Sequence, residues 1–175
     1  AVTPTPTADW QATDLLSLVT PSASWSTASV VPTGSYRTVH HATPGDVSDM
    51  ARVARLILGR AHGLVLSGGS SRGTAHIGAA IALREHGLEP DIVIGTSAGA
   101  LIGAMIASRW SEAEMRDAVD RIAAFSATRE LQPPFTSLLS GRQMHGVLQA
   151  LYGDRTVDDT WLPFEAVAAD LGTGE

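Results

Sequence analysis

The chain has 175 residues, 44% of them hydrophobic and 17% charged, with a formal net charge of −6. That is enough chain for about one domain with a real core, and it is a globular rather than a disordered balance. The negative charge argues against non-specific nucleic-acid binding, and the lack of cysteine excludes disulfides and thiolate metal sites.

Taken in order, residues 1–9 are rich in Pro and Thr and predict irregular chain. Asp14 to Val19 reads as a strand, Thr20 to Gly34 as a Pro-, Ser- and Thr-rich loop, and Tyr36 to His41 as a weakly alternating strand. After a turn at Thr43-Pro-Gly-Asp46, Ser48 is expected to cap a helix that buries Met50, Val53, Leu56 and Ile57 and ends near Gly59. Gly63-Leu-Val-Leu66 is a short apolar run leading into a glycine-rich turn, Ser67-Gly-Gly-Ser-Ser-Arg-Gly73. A helix with Ile77, Ile81 and Leu83 follows, until Leu88-Glu-Pro90 breaks it. Asp91-Ile-Val-Ile94 is a second buried strand, ending at Gly95-Thr-Ser-Ala-Gly99, where another helix begins. Four-residue apolar runs between turns and helices point to parallel strands in a covered sheet.

Ser111-Glu-Ala-Glu114 is a capping box, and Met115, Val119, Ile122 and Phe125 form the inner stripe of the helix it starts. Gln132-Pro-Pro134 ends that region. Thr136 to Arg142 leads to a helix with Met144, Val147, Leu148 and Leu151 inward. Asp158 to Phe164 then reads as a turn and Val167 to Leu171 as a strand. The uncharged run Ile92 to Ser108 is half small residues and falls short of the ~20 apolar residues of a membrane span. A buried strand and a buried helix explain it better. No internal repeat is present.

Gly95-x-Ser97-x-Gly99 at a strand-to-helix corner has the form of a nucleophile elbow, in which small flanking residues permit a sharp turn that pushes the serine hydroxyl outward. Ser97 at a helix start also has backbone N–H groups and the positive helix end nearby. The earlier glycine turn lies one crossover away, where further backbone donors can hold an oxyanion. A P-loop fails because Thr74 stands where lysine is needed, and a dinucleotide-binding turn fails because Ser70 occupies its second glycine.

The run Ser67 to Gly73, then Ala75-His-Ile-Gly78, then Gly95 to Ala100 resembles the patatin-like phospholipase family. The stretch Asp49 to Ala61, the segment Ser137-Leu-Leu-Ser-Gly-Arg142 and the segment Asp159-Thr-Trp-Leu-Pro-Phe164 narrow the resemblance to its neuropathy target esterase branch. The resemblance covers roughly Arg37 to Glu175, and Asp14 to Pro32 more weakly. It implies a three-layer α/β fold, a mainly parallel sheet covered by helices and truncated at its C-terminal side. Residues 1–47 are then a flanking segment, and residues 48–175 the N-terminal part of a patatin-like hydrolase domain.

The resemblance further implies that Ser97 is the nucleophile and that Gly68, Gly69, Ser70, Arg72 and Gly73 belong to the oxyanion loop. Gly95 and Gly99 flank the serine in the elbow. Ser70 departs from the family's third glycine, and a serine adds strain if the turn there needs φ > 0. The family's base is an aspartate of an Asp-Gly-Gly or Asp-Gly-Ala motif. This sequence contains no Asp-Gly pair, so the base is expected beyond Glu175, in a longer protein.

Other candidates have plainer readings. His40 and His41 are expected at the surface, His62 and His86 solvated, and His76 packed beneath the glycine loop. His76 or His145 would serve as base only in a serine–histidine–acid triad. Asp91 sits at the end of its strand opposite the elbow, and Asp170 is the best placed acid within the chain. Arg72 reads as an anchor of the loop or a contact to lipid phosphate.

The expected function is therefore hydrolysis of a phospholipid or lysophospholipid ester through a serine–aspartate dyad, with no metal or organic cofactor and no nucleic-acid partner. The expected setting is cytoplasmic, with peripheral contact at the inner membrane face an option. Two readings from other classes stay open: a non-catalytic patatin-like scaffold, and an anion- or phosphate-binding module that uses helix-start N–H groups.

Overall fold

A computed structural model describes residues 14–19, 38–124, 142–170 and 172–173. The fold is α/β. Strands β1 (Leu15–Leu18) and β2 (Val39–Ala42) form a parallel pair. Strands β3 (Gly63–Leu66), β4 (Ile92–Gly95) and β5 (Phe164–Ala166) form a parallel sheet with β4 in the middle. Its strands are joined through α1 (Val47–Ile57), α2 (Ala75–Glu85), α3 (Ala98–Ala107), α4 (Glu112–Ala123) and α5 (Arg142–Tyr152), with short 3₁₀ turns at Ser70–Thr74 and Val157–Asp159.

The core gathers where α3 packs on the sheet. Leu66, Val93, Ile102, Met105, Ile106, Met115, Trp161 and Leu162 are all buried there. Helix α3 is apolar on every side, which suits a helix enclosed by sheet and neighbours. Helix α4 starts with the expected capping box, Ser111 accepting from the Glu114 N–H and Glu114 from the Ser111 N–H. Met115 is its deepest side chain, with Val119 and Ile122 partly buried, while Phe125 lies outside the described residues. Met144, Val147, Leu148 and Leu151 of α5 are half-buried, as its periodicity predicts. Tyr36, Arg37, the Gln132-Pro-Pro134 break and the Thr136 to Gly141 lead-in fall outside the described residues.

Three local expectations are corrected. The cap of α1 is Asp46, whose side chain accepts from the Asp49 N–H, and not Ser48. The inner face is also shifted: Val53 and Leu56 are half-buried as expected, but Asp49 and Arg52 are the enclosed residues beside them, whereas Ile57 is 79% and Met50 38% exposed. Asp49 is held by the Thr43 N–H at 2.9 Å, the Trp161 indole at 3.1 Å and Arg109 at 2.6 Å. Partners that distant override the apolar stripe. Third, β5 runs over Phe164–Ala166 and not over Val167 to Leu171, because Pro163 and Val167 supply the flanking bonds to Val93 and Gly95.

His41 is likewise not at the surface. It is fully buried, with Nε2 3.4 Å from the Asp158 carbonyl, and burial lowers its pKa. His40 is mostly buried too, 3.6 Å from the Asp14 carboxylate.

Candidate functional site

The site forms where β3 and β4 end side by side. Leu66 pairs with Gly95 in register, and the Thr96 N–H donates to the Leu66 carbonyl at 3.1 Å. Both strands thus release their chains at the same sheet edge, the edge at which parallel α/β sheets place their ligands.

Ser97 is the second residue past the end of β4. It has φ 53° and ψ −123°, a conformation that non-glycine residues rarely adopt. Such geometry costs about 1–3 kcal/mol and persists only where surroundings enforce it. The enforcement comes from two glycines. A Cβ on Gly95 would lie 2.4 Å from the Gly99 carbonyl oxygen, and one on Gly99 would lie 2.2 Å from the Leu66 carbonyl oxygen. Only hydrogen fits at either point, so the strand and α3 can meet in a sharp corner. The Gly99 N–H closes the corner on the Thr96 carbonyl at 2.9 Å. The Ser97 side chain is exposed, and its hydroxyl has no hydrogen-bond partner among the described residues.

The glycine turn lies directly against this serine. A Cβ on Gly68 would sit 3.3 Å from Ser97 Cβ and 3.9 Å from its Oγ. Gly73 is buried against α3, where a Cβ would fall 2.4 Å from Ala98 Cβ. Gly69 precedes the 3₁₀ turn, and its carbonyl accepts from the Arg72 N–H at 3.1 Å. The N–H groups of Gly68, Gly69 and Ala98 have no partner among the described residues. Unpaired donors beside an exposed hydroxyl on a strained turn are what stabilisation of an oxyanion requires. Ala98 was not among the residues singled out from the sequence. The signal for it is position alone, since the residue after an elbow nucleophile contributes its N–H.

Ser70 has φ 51°, the left-handed region that favours glycine. Arg72 is exposed, and its guanidinium has no partner among the described residues, so as placed it does not anchor the loop. His76 Nε2 lies 2.9 Å from the Ser67 carbonyl oxygen, bracing the loop from α2. His145 is exposed on α5, and so are His62 and His86.

The carboxylates nearest in sequence are engaged elsewhere. Asp91 is fully buried at the opposite end of β4, paired with Arg55 at 2.6 Å and accepting from the His62 N–H at 2.8 Å. Burial pushes its carboxyl up, but those bonds outweigh the effect and hold it below the ordinary range. Asp170 does not end a strand. It accepts from the N–H groups of Gly172 at 2.6 Å and Thr173 at 3.3 Å, which makes it a turn residue. Among the described residues no group of three or more His, Asp or Glu side chains is arranged to hold a metal.

A patatin-like phospholipase pattern matches residues 64–172, a span that contains both the glycine turn and the elbow. The chain belongs to the patatin-like phospholipase family. It is 36% identical over 141 residues to patatin-like phospholipase domain-containing protein 7 of Rattus norvegicus, with 78% of this chain and 10% of the relative covered. It is 35% identical over 145 residues to neuropathy target esterase sws of Drosophila grimshawi, with the same shares covered. A patatin-like phospholipase domain-containing protein of Caenorhabditis elegans is 37% identical over 138 residues, covering 76% of this chain and 10% of the relative. The chain thus spans about a tenth of the length of these curated relatives. No described helix is long and apolar enough to cross a membrane.

Proposed function

We propose that the protein hydrolyses a carboxylic ester of a phospholipid or lysophospholipid, with Ser97 as nucleophile. The observation that carries this is the strained, exposed Ser97 packed against Gly68, in a turn where the Gly68 and Gly69 N–H groups have no partner among the described residues. In the reaction Ser97 Oγ attacks the ester carbonyl carbon and gives its proton to the base. The carbonyl oxygen becomes an oxyanion held by the N–H groups of Gly68, Gly69 and Ala98. Removing one such donor typically costs about 3 kcal/mol of transition-state stabilisation. The bond to the alcohol then breaks and the leaving oxygen takes the proton. Water, deprotonated by the same base, releases the fatty acid and restores the serine.

The base in this reading is an aspartate outside these 175 residues. Asp91, Asp49 and Asp170 each serve another partner, and Ser97 Oγ is free among the described residues. This stretch alone would then be inactive. Arg72, exposed and without a side-chain partner among the described residues, is suited to contact a lipid phosphate through its fork of donors. The proposed setting is the cytoplasm, with the protein acting at the inner membrane face.

The test is reaction of the complete protein and of this segment with a fluorophosphonate ester, followed by turnover of lysophospholipid. Labelling of the complete protein at Ser97, with turnover lost in Ser97→Ala while lipid binding persists, is the expected result. Unchanged turnover in Ser97→Ala overturns it. If neither protein labels yet lipid or phosphate still binds, the non-catalytic scaffold or anion-binding reading replaces it.

A further inference from the structure

Gly68 and Gly69 are consecutive glycines, and glycine favours no single backbone conformation. Rotation about Ser67 and Gly68 would swing the peptide between them and carry the Gly68 N–H with it. A contact from outside the turn is needed to fix that peptide.

Two such contacts exist, both at its carbonyl end. His76 Nε2 lies 2.9 Å from the Ser67 carbonyl oxygen, tying the first turn of α2 back across nine positions to the start of the loop. The same oxygen also lies against α3, where a Cβ on Gly99 would fall 2.6 Å from it. The peptide is trans, so its carbonyl and its N–H point in opposite directions. Holding the oxygen at His76 and Gly99 therefore directs the Gly68 N–H out of that junction, and it has no partner among the described residues. Gly68 itself packs on Ser97, whose Cβ would lie 3.3 Å from an added Cβ.

The contact also fixes the state of His76. A carbonyl oxygen only accepts, so the proton of the bond belongs to Nε2. Nδ1 has no partner among the described residues, so nothing there favours the other tautomer. As donor to Ser67, Nε2 cannot also take the proton of Ser97. A peptide whose carbonyl accepts a hydrogen bond is in turn a stronger donor at its N–H, by about 10–30%.

We infer that His76 is a positioning residue for the reaction: its Nε2–H, bonded to the Ser67 carbonyl, holds the Ser67–Gly68 peptide so that the Gly68 N–H is directed at the oxyanion formed when Ser97 attacks. The inference rests on the hydrolase reading and adds to it the side chain that orients one of its donors. His76 acts only through Gly68. Its loss removes stabilisation made in the transition state and not in the bound ester, so kcat falls while KM holds.

The experiment measures lysophospholipid turnover by the complete protein and two variants. His76→Phe keeps a ring of similar shape without the donor, and His76→Gln keeps an N–H close to the Nε2 position. Deleting an oxyanion donor costs about 10²–10³ in kcat, and a donor left untethered should cost less, about 10- to 100-fold in His76→Phe. KM should stay within about twofold, and His76→Gln should recover most of the lost kcat. Labelling of Ser97 by a fluorophosphonate should slow in parallel, since its phosphoryl oxygen takes the oxyanion's place. Unchanged kcat in His76→Phe, a rise in KM alone, or a His76→Gln as slow as His76→Phe overturns the inference and leaves Ser97 standing as nucleophile. If His76→Phe does not fold, His76→Glu, which matches Gln in length but presents a carboxylate, takes its place with the same expectation. If neither folds, His76→Gln decides alone, and a kcat more than about tenfold below that of the unsubstituted protein overturns the inference. No reaction of the unsubstituted protein at Ser97 sinks the hydrolase reading and this inference with it.

Discussion

Arg109 Nη2 lies 2.6 Å from Asp49 Oδ1, joining α1 to the residue that terminates the elbow helix sixty positions later. Arg109 has φ 57°, and it stands where α1, α2 and α5 are followed by left-handed glycines, Gly59, Gly87 and Gly153. The Trp110 N–H donates to Met105 and the Arg109 N–H to Ile106, the bond pattern of a helix end that normally selects glycine. A left-handed arginine costs about 1–2 kcal/mol. The side chain offsets that cost by reaching the buried Asp49 and covering the Trp161 ring, 5.1 Å from its centroid.

Replacing Asp49 with alanine should therefore be severe. The change strands the Thr43 N–H, the Trp161 indole and Arg109 together. Breaking a buried pair of this kind costs about 3 kcal/mol or more. A urea titration of the intact protein should show a lower midpoint with the slope unchanged. A loss of under about 1 kcal/mol would mean that water screens the pair, as it does at exposed sites.

Asp91 gives a dependence on pH. Its carboxyl lies below the ordinary range in the folded chain because bonds from Arg55 and His62 outweigh its burial. A depressed folded value means that the stabilisation is present above the unfolded value, about 3.9, and disappears as pH falls through the lower folded value. Chemical denaturation from pH 6 down to the acid limit should thus show a loss of stability that Asp91→Asn reduces in slope. An identical slope in the variant would show that other carboxylates carry the acid limb.

These two carboxylates also mark what the sequence could and could not reveal. The elbow was legible because its determinants are local: the close contacts of Gly95 and Gly99 and the turn at Ser97 all fall within five consecutive residues and one neighbouring strand end. Parallel strands were legible from apolar runs placed between helices. The inner face of α1 was legible only at Val53 and Leu56, because Met50 and Ile57 extend the apolar stripe and nothing local contradicts them. Asp49 turns inward to Arg109 and Trp161, and Arg52 to the His41 carbonyl, and a pattern read along one helix cannot register those partners. The displacement of β5 has a similar origin. Its pairing is fixed by Val93, Ile94 and Gly95 on another strand, not by the apolar content of Val167 to Leu171.

The corner itself can be tested by adding one methyl group. In Gly99→Ala the new Cβ would meet the Leu66 carbonyl oxygen at 2.2 Å, and both neighbours are backbone. Neither the end of β3 nor the start of α3 can yield without displacing Ser97. Overpacking of this kind costs about 1–3 kcal/mol, occasionally more. The expected outcome is a lower thermal midpoint together with loss of fluorophosphonate labelling at Ser97. Retained labelling at the original rate would show that the elbow relaxes more easily than its backbone contacts allow.

Ser70 offers the opposite test, a substitution that should help. Its φ of 51° is costly for serine and free for glycine. Relief of a left-handed residue is worth about 1–2 kcal/mol, against which glycine adds up to about 1 kcal/mol of chain entropy in the unfolded state. The balance favours Ser70→Gly by a few tenths of a kcal/mol to about 1 kcal/mol. Because Gly68 precedes it in the same turn, the change should leave the contact between Gly68 and Ser97 in place. Differential scanning calorimetry should record a small rise in thermal midpoint. A fall would mean that the Ser70 side chain supports the turn, and that the loop's geometry depends on the serine in spite of its strained backbone.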